Sequence, residues 1–381
     1  MFTEVQIENY KSIQSLKINL GRVNVFIGEN GCGKTNILEA IALAAAAAAD
    51  KLDNEFLVPR GIRVTEPEFM RSAFDKENVI KEIKINLRKG DQFGLSFAIQ
   101  NKNKDYSPWE YILREVPDQL NEVQADIEIV NLLKNDELIP DEISFRLHQI
   151  FHALSTRSKE RLKFLKDFVI FFPENSALRN FEEEGQVQPL GTKGEGLLKL
   201  LRVLSNTPER INEIKQRLEF IDWFDDFKIH QDSDIERTIQ IKDRYLDKDL
   251  PYFNQRSSNE GFLFLMFYFA LFVSDDTPKF FAIDNIENAL NPKLCTRLIQ
   301  ELVELAKKHD KQVIFTTHNP AILDGLDLND DEQRLFVIYR NMEGHTQARR
   351  IAPLDPLDDG EIVPLSEAFI NGYIGGLPKN F

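Results

Sequence analysis

Val23-Asn-Val-Phe-Ile-Gly28-Glu29-Asn30-Gly31-Cys32-Gly33-Lys34-Thr35-Asn36 decides the fold. Val23 to Ile27 is a short, nearly continuous apolar run, the mark of a strand buried on both faces. It passes straight into Gly28-x-x-x-x-Gly33-Lys34-Thr35. The residues that follow, Asn36 to Ala49, are rich in Ala, Leu and Ile with neither Gly nor Pro, and predict a helix whose N-terminus faces the loop. Strand, glycine loop and helix in that order are the context a phosphate-binding loop requires. Glycines let successive backbone N–H groups turn toward phosphate oxygens, and the helix N-terminus adds positive potential. Lys34 then bridges the β- and γ-phosphates, and Thr35 offers a hydroxyl to Mg²⁺. The candidate nucleotide contacts are Asn30, Gly31, Cys32, Gly33, Lys34, Thr35 and Asn36, with ATP and Mg²⁺ the implied cofactors.

A second decisive run is Phe280-Phe-Ala-Ile-Asp284, an apolar strand ending in a carboxylate of the kind that holds Mg²⁺ beside a phosphate loop. The metal site is therefore Thr35 with Asp284. Beyond it come Asn285, Glu287 and Leu290-Asn-Pro292, then a strand over Val313 to Thr317 ending in His318-Asn-Pro320. His318 stands where a polar side chain at a strand end reaches the γ-phosphate. The helix expected between those strands, from Pro292 to His309, argues for a largely parallel sheet.

Outside this centre, residues 3–8 and 14–19 alternate as half-buried antiparallel strands, joined through Asn9-Tyr10-Lys11-Ser12, and a hairpin from Ile80 to Gln100 extends their sheet. Residues 103–165 are charged and read as an inserted helical lobe, with Leu113, Leu120, Leu132 and Leu133 as core positions. Residues 220–256 read as acidic and loop-like, alternating briefly at ERTIQIKDRY, residues 236–245. The reading divides the chain into 1–102, the first part of the head; 103–165, the insertion; 166–345, the second part of the head; and 346–381, a tail.

A formal charge of −15 repels a polyphosphate backbone on average, so nucleic-acid contact requires a local basic patch. The run from Arg157 to Lys166 is one candidate, read first as a solvated helix face. Two cysteines, Cys32 and Cys295, exclude a disulfide framework or zinc cluster, and the start MFTEVQIENYKS lacks an export signal, so the expected compartment is the cytoplasm. The apolar stretch Gly261 to Val273 is too short to span a bilayer and reads as a buried helix.

The order of phosphate loop, wide insertion, Ser-rich turn before an apolar helix, carboxylate strand and His-ending strand resembles the ABC-type ATPases of the RecF, SMC and OLD group. More narrowly it is similar to stand-alone ATPases of bacterial anti-phage defence systems, whose tails the closing GGLPKNF resembles. The resemblance implies an α/β ATPase head with a largely parallel core sheet, an antiparallel β subdomain and an inserted helical lobe. It also implies a homodimer or higher homo-oligomer, in which a signature of the type Leu-Ser-x-Gly reaches the γ-phosphate across the interface. The nearest match is Ser257-Ser258-Asn259-Glu260-Gly261, so Ser258 and Gly261 are its candidates, with one residue more than the usual spacing; a plain helix cap at Ser257 or Ser258 is the other reading. Family members place a catalytic Glu after the Mg²⁺ Asp, where this chain has Asn285, and an amide cannot take a proton from water. Glu287 is then the candidate base, or hydrolysis is slow.

The expected function is an ATP-binding, slowly hydrolysing dimeric switch that controls an effector in anti-phage defence. OLD-type nucleases carry a Toprim domain after the ATPase, but Asp327 to Glu332 and Asp355 to Glu361 read as solvated loops, so a Toprim or other nuclease would act in trans. The alternative is a DNA-repair or chromosome-associated ATPase acting directly on DNA. A transporter subunit is disfavoured by the insertion and by the long gap from loop to signature.

Overall fold

The computed structural model describes residues 1–90, 94–104, 107–116, 162–181, 190–229, 237–247, 249–250, 252–355 and 363–377. Leu120, Leu132, Leu133 and the first half of the Arg157–Lys166 run, residues 157–161, lie outside them. The first sheet is antiparallel, built from β1 (Glu4–Tyr10), β2 (Ile13–Asn19), β4 (Ile83–Arg88), β5 (Gly94–Gln100) and β6 (Glu110–Val116) in the order β2-β1-β4-β5-β6. β3 (Val23–Ile27) leaves it to enter the second sheet. There it joins β7 (Ile170–Phe171), β11 (Phe280–Ile283), β12 (Gln312–Thr317), β13 (Gln333–Arg340) and β14 (Thr346–Ile351), in the order β14-β13-β3-β12-β11-β7. All pairs in it are parallel except β13 with β14.

β3 is buried on both faces because two apolar layers cover it. Val23, Val25 and Ile27 point into one core, and Phe26 into the other. The second core is roofed by α1 (Lys34–Ala48), whose alanines from Ala40 to Ala47 are inaccessible to solvent. Small side chains let this helix lie close on the sheet, which is the use of the alanine row. The first core holds α2 (Leu197–Leu204), α3 (Pro208–Leu218) and α4 (Glu260–Val273). In α4 every residue from Gly261 to Val273 is buried, so the helix is apolar on all sides because neighbours surround it. Among the described residues no helix is long and apolar enough to cross a membrane. α5 (Pro292–Lys308) links β11 to β12, its N-terminus capped by Asn291.

Two expectations need correction. The stretch from 103, expected to be helical, contains β6, whose Tyr111 and Leu113 pack on the antiparallel sheet while Ile112 faces solvent; the alternation was masked by charge. Residues 220–256, expected as loop, hold a three-stranded sheet of β8 (Phe224–Ile229), β9 (Ile239–Asp243) and β10 (Phe253–Asn254), with Phe224, Phe227, Ile239 and Ile241 in the first core. The acidic run Asp327–Glu332 is a loop with Asp327 and Asp331 exposed, as expected, and ion pairs pin it: Lys307 meets Asp330 at 2.5 Å, Arg334 and Arg350 meet Asp331 at 2.8 and 2.6 Å, and Arg22 meets Glu332 at 3.2 Å.

Candidate functional site

The loop leaves β3 at Gly28 and enters α1 at Gly33, and only glycine fits at either end. A Cβ on Gly28 would stand 2.1 Å from the Ile338 carbonyl oxygen, and one on Gly33, at φ +107°, 2.1 Å from Thr346 Oγ1. Thr346 belts the loop from below. Its hydroxyl donates to the Cys32 carbonyl at 2.8 Å and lies 2.7 Å from Ser12 Oγ, while its N–H donates to the Ser12 carbonyl at 2.8 Å. Asn36 Nδ2 donates to Ser12 Oγ at 2.6 Å, and Arg340 Nε to the Gly31 carbonyl at 2.9 Å. The Lys34 ammonium is held over the loop by the carbonyls of Gly28 at 2.8 Å and Glu29 at 3.1 Å. Burial lowers the pKa of Lys34, opposed by Cys32, Asp284 and Glu287. Burial also raises that of the Cys32 thiol, so it stands in the loop as an uncharged side chain.

β11 delivers Asp284 to the same place. Thr35 Oγ1 donates to Asp284 Oδ2 at 3.1 Å, and Thr316 at the end of β12 donates to Oδ1. Thr316 Oγ1 in turn accepts the Asn285 N–H at 2.9 Å. Asn285 is left-handed, φ +56°, and the chain reverses there, with Ile286 N–H bonded back to the Thr316 carbonyl. That reversal returns Glu287 to the end of β12, where its Oε1 accepts the His318 N–H at 2.8 Å. Glu287 Oε2 is buried and has no partner among the described residues. Partial desolvation and the charge of Lys34 lower the pKa of the exposed His318 imidazole, with Glu287 and Asp284 opposing. Lys34, Thr35, Asp284, Asn285, Glu287 and His318 thus converge at the carboxyl ends of adjacent parallel strands, where α/β sheets bind ligands.

The residues suit a magnesium ion. Among the described residues no group of three or more His, Cys, Asp or Glu is placed to hold a metal ion by itself. One hydroxyl and one carboxylate in contact are the donors a hard cation needs when phosphate oxygens and waters complete its shell.

Ser258 and Gly261 lie elsewhere on the same chain. The cap of α4 is Asn259, whose Oδ1 accepts the Phe262 N–H at 2.8 Å, rather than Ser257 or Ser258. Ser258 is buried, its Oγ without a partner among the described residues. A Cβ on Gly261 would meet the Ala289 carbonyl at 2.9 Å, so this turn presses on the loop that carries Glu287. Asn36 is committed at both ends of its amide, to Ser12 and, through Oδ1, to Arg63 Nη2 at 3.0 Å. Sequence reasoning missed Thr316, Thr346 and the cluster around Glu39. That carboxylate, fully buried on α1, takes Lys11 at 2.5 Å and Arg63 at 2.6 Å. Thr316 had a signal, a polar residue at the end of an apolar strand; Thr346 and Arg63 had none.

A glycine loop between a buried strand and a helix, a strand-end carboxylate on its hydroxyl, and a parallel sheet flanked by an antiparallel one define a P-loop ATPase head of the ABC type. The chain belongs to the family described as "AAA domain, putative AbiEii toxin, Type IV TA system", which matches residues 23–324. The DNA replication and repair protein RecF of Bacillus cereus (strain G9842) is 29% identical over 131 residues, covering 33% of this chain and 34% of that protein. RecF of Bacillus thuringiensis (strain Al Hakam) is 28% identical over 162 residues, 41% of this chain and 42% of that protein. The matched segments therefore span less than half the length of these relatives. The solved Smc head bound to the C-winged helix domain of ScpA superposes with a TM-score of 0.55 at 14% identity, over 92% of this chain and 98% of that one. The Smc head with an extended coiled coil from Pyrococcus furiosus, bound to the C-terminal domain of ScpA, gives 0.52 at 14% identity, over 92% and 96%. At that identity the likeness concerns the fold alone.

Proposed function

We propose that this chain is an ATP-gated switch that hydrolyses slowly and controls an effector in trans. ATP would lie along Asn30–Asn36 with Lys34 on its β- and γ-phosphates. Thr35 and Asp284 would hold Mg²⁺, whose charge, when bound, offsets that of the phosphates. The observation that carries the reading is Glu287: one carboxylate oxygen is spent on the His318 backbone, and the other is buried and unpartnered beside the strand ends. A water seated there would find one carboxylate to accept its proton, with Asn285 beside Asp284 able to orient it but not to deprotonate it. Proton transfer is worth roughly 10² to 10⁴ in rate, so a base already engaged by a main-chain N–H suits a slow turnover and a long ATP-bound state.

In this reading two heads close over ATP, with Ser258 and Gly261 of each reaching the other's γ-phosphate, and the part of the expected insertion that follows β6 passes the state to the partner. The family's description supports a defence role. Sedimentation with and without Mg²⁺ and a non-hydrolysable ATP analogue tests the switch: nucleotide-dependent association is expected, and unchanged mass and shape would refute it. The stretch shared with RecF favours a second reading, direct action on DNA. Salt-dependent binding of duplex DNA by the purified chain would establish that reading in place of the first.

A further inference from the structure

The segment 363–377 plays no part in the function above, yet it reaches the phosphate loop from behind. Helix α6 (Leu365–Ile370) buries Ala368 and Phe369 and packs on the 3₁₀ turn Pro320–Gly325, which follows directly on His318 and Asn319. The Ser366 N–H donates to Asp324 Oδ1 at 2.9 Å. From α6 the chain bends through Gly372, Gly375 and Gly376, with φ of +77°, +70° and +87°. Arg349 of β14 donates to the Ile374 carbonyl, and the Ile374 side chain is buried. A Cβ on Gly376 would lie 2.9 Å from Val337 Cγ1, 3.1 Å from Phe369 Cε2 and 3.7 Å from the Cα of Gly28. Beside this contact lies a cavity of about 330 Å³, bounded by Glu29, Tyr339, Arg349 and Gly375–Leu377. The segment therefore bears on the loop at Gly376 and is not sealed along its length.

We propose that residues 365–376 are a positioning strap for the phosphate loop, with Phe369, Ile374 and Gly376 setting where Gly28 sits and hence where the loop's N–H groups point. The inference rests on the nucleotide reading above. Close-packed contacts transmit displacement instead of absorbing it. Here the two glycines approach closely enough that a β-carbon on Gly376 would be in van der Waals contact with Gly28, with the Val337 and Phe369 side chains packed closer still. The same segment is anchored on the turn after His318, so it touches both walls of the site. If docking of the strap favours the nucleotide-ready loop, nucleotide must favour docking by the same factor.

Hydrogen exchange of the full chain, with and without Mg²⁺ and a non-hydrolysable ATP analogue, reads this coupling directly. Peptides covering 365–377 are expected to exchange more slowly with nucleotide bound. Gly376→Val forces a branched side chain onto a left-handed backbone against Val337 and Phe369; it is expected to weaken nucleotide binding roughly fivefold or more, and to raise KM more than it lowers kcat. Phe369→Ala should act in the same direction. Tyr373→Ala, at an exposed position of the same segment, should bind as wild type. Exchange of 365–377 unchanged in a chain that demonstrably binds the analogue would overturn the strap, as would wild-type affinity in Gly376→Val. A wild type that does not bind the analogue at all would overturn the nucleotide reading itself. The exchange experiment needs no substitution, so it decides the matter even if Gly376→Val does not fold.

Discussion

Replacing Thr316 by Val exchanges one hydroxyl for a methyl at a fully buried position and leaves the shape of the strand end almost unchanged. The hydroxyl donates to Asp284 and accepts the Asn285 N–H at 2.9 Å. Losing it removes a hydrogen bond to a charged group, worth about 1.5–3 kcal/mol, and strands a partly buried N–H at a cost of about 1–3 kcal/mol. The two losses share one atom and will not add fully, so roughly 2–4 kcal/mol is expected. In a chain of this size that lowers the melting point by on the order of 5 °C. The functional effect is larger than the stability effect suggests, because Thr316 fixes the orientation of the carboxylate proposed to hold Mg²⁺. Removing the outer partner of a metal ligand typically costs about 10- to 100-fold in metal affinity. Thr316→Val is thus expected to raise the Mg²⁺ concentration needed for half-maximal ATP binding about tenfold or more, with near-normal binding at saturating Mg²⁺. Thr316→Ser keeps the hydroxyl and should stay close to wild type. Mg²⁺ titrations followed by a fluorescent nucleotide, with melting curves in parallel, measure both effects. If Thr316→Val melts and titrates like wild type, either the hydroxyl does not hold Asp284 or Asp284 does not hold the ion.

Lys34→Ala removes the only ammonium over the loop among the described residues and should weaken ATP binding at least about tenfold, measurable by calorimetry, while circular dichroism shows an intact fold. Glu287→Gln should slow steady-state ATP hydrolysis, and Asn285→Glu should speed it, although a Glu at φ +56° costs about 1–2 kcal/mol of backbone strain; brisk wild-type turnover indifferent to Glu287→Gln would remove Glu287 from the chemistry. Gly261→Arg has no room against Ala289 and Leu290, so it should abolish nucleotide-driven association in sedimentation while single heads still bind ATP.

The parts of this molecule legible in the sequence are those whose cause is local. Gly33 is dictated by the loop's own left-handed turn, and Val23–Ile27 and Phe280–Ile283 announce two-sided burial by being apolar nearly throughout. The sharp turn needed to return Glu287 to the site is made by Asn285, a residue type that tolerates the left-handed region. What escaped was set by partners distant in sequence. Thr346 belts a loop more than three hundred positions away, and nothing around it in β14 marks the role. Glu39 looked like one more polar residue of a helix, until Lys11 and Arg63 closed over it. β6 and β8 carry their apolar residues among charges, so their strands could be seen only against the sheets they join, whereas β9 showed a brief alternation too short to mark a sheet.

The placement of β3 governs how the protein can be made. It leaves the ribosome long before β12 and β13, its neighbours on either side. Asn24 waits for Val313, 289 positions later. At about 5–20 residues per second, the emerging loop spends roughly 15–60 s without the strands that shape it. During that interval a very apolar strand lacks both its neighbours, and the alanine-rich helix behind it can pack only on the antiparallel sheet. A nascent chain arrested before residue 312 would therefore carry the whole glycine loop and still be unable to grip a nucleotide. Its exposed Val23–Ile27 edge would be the natural target of a chaperone, or the seed of an aggregate.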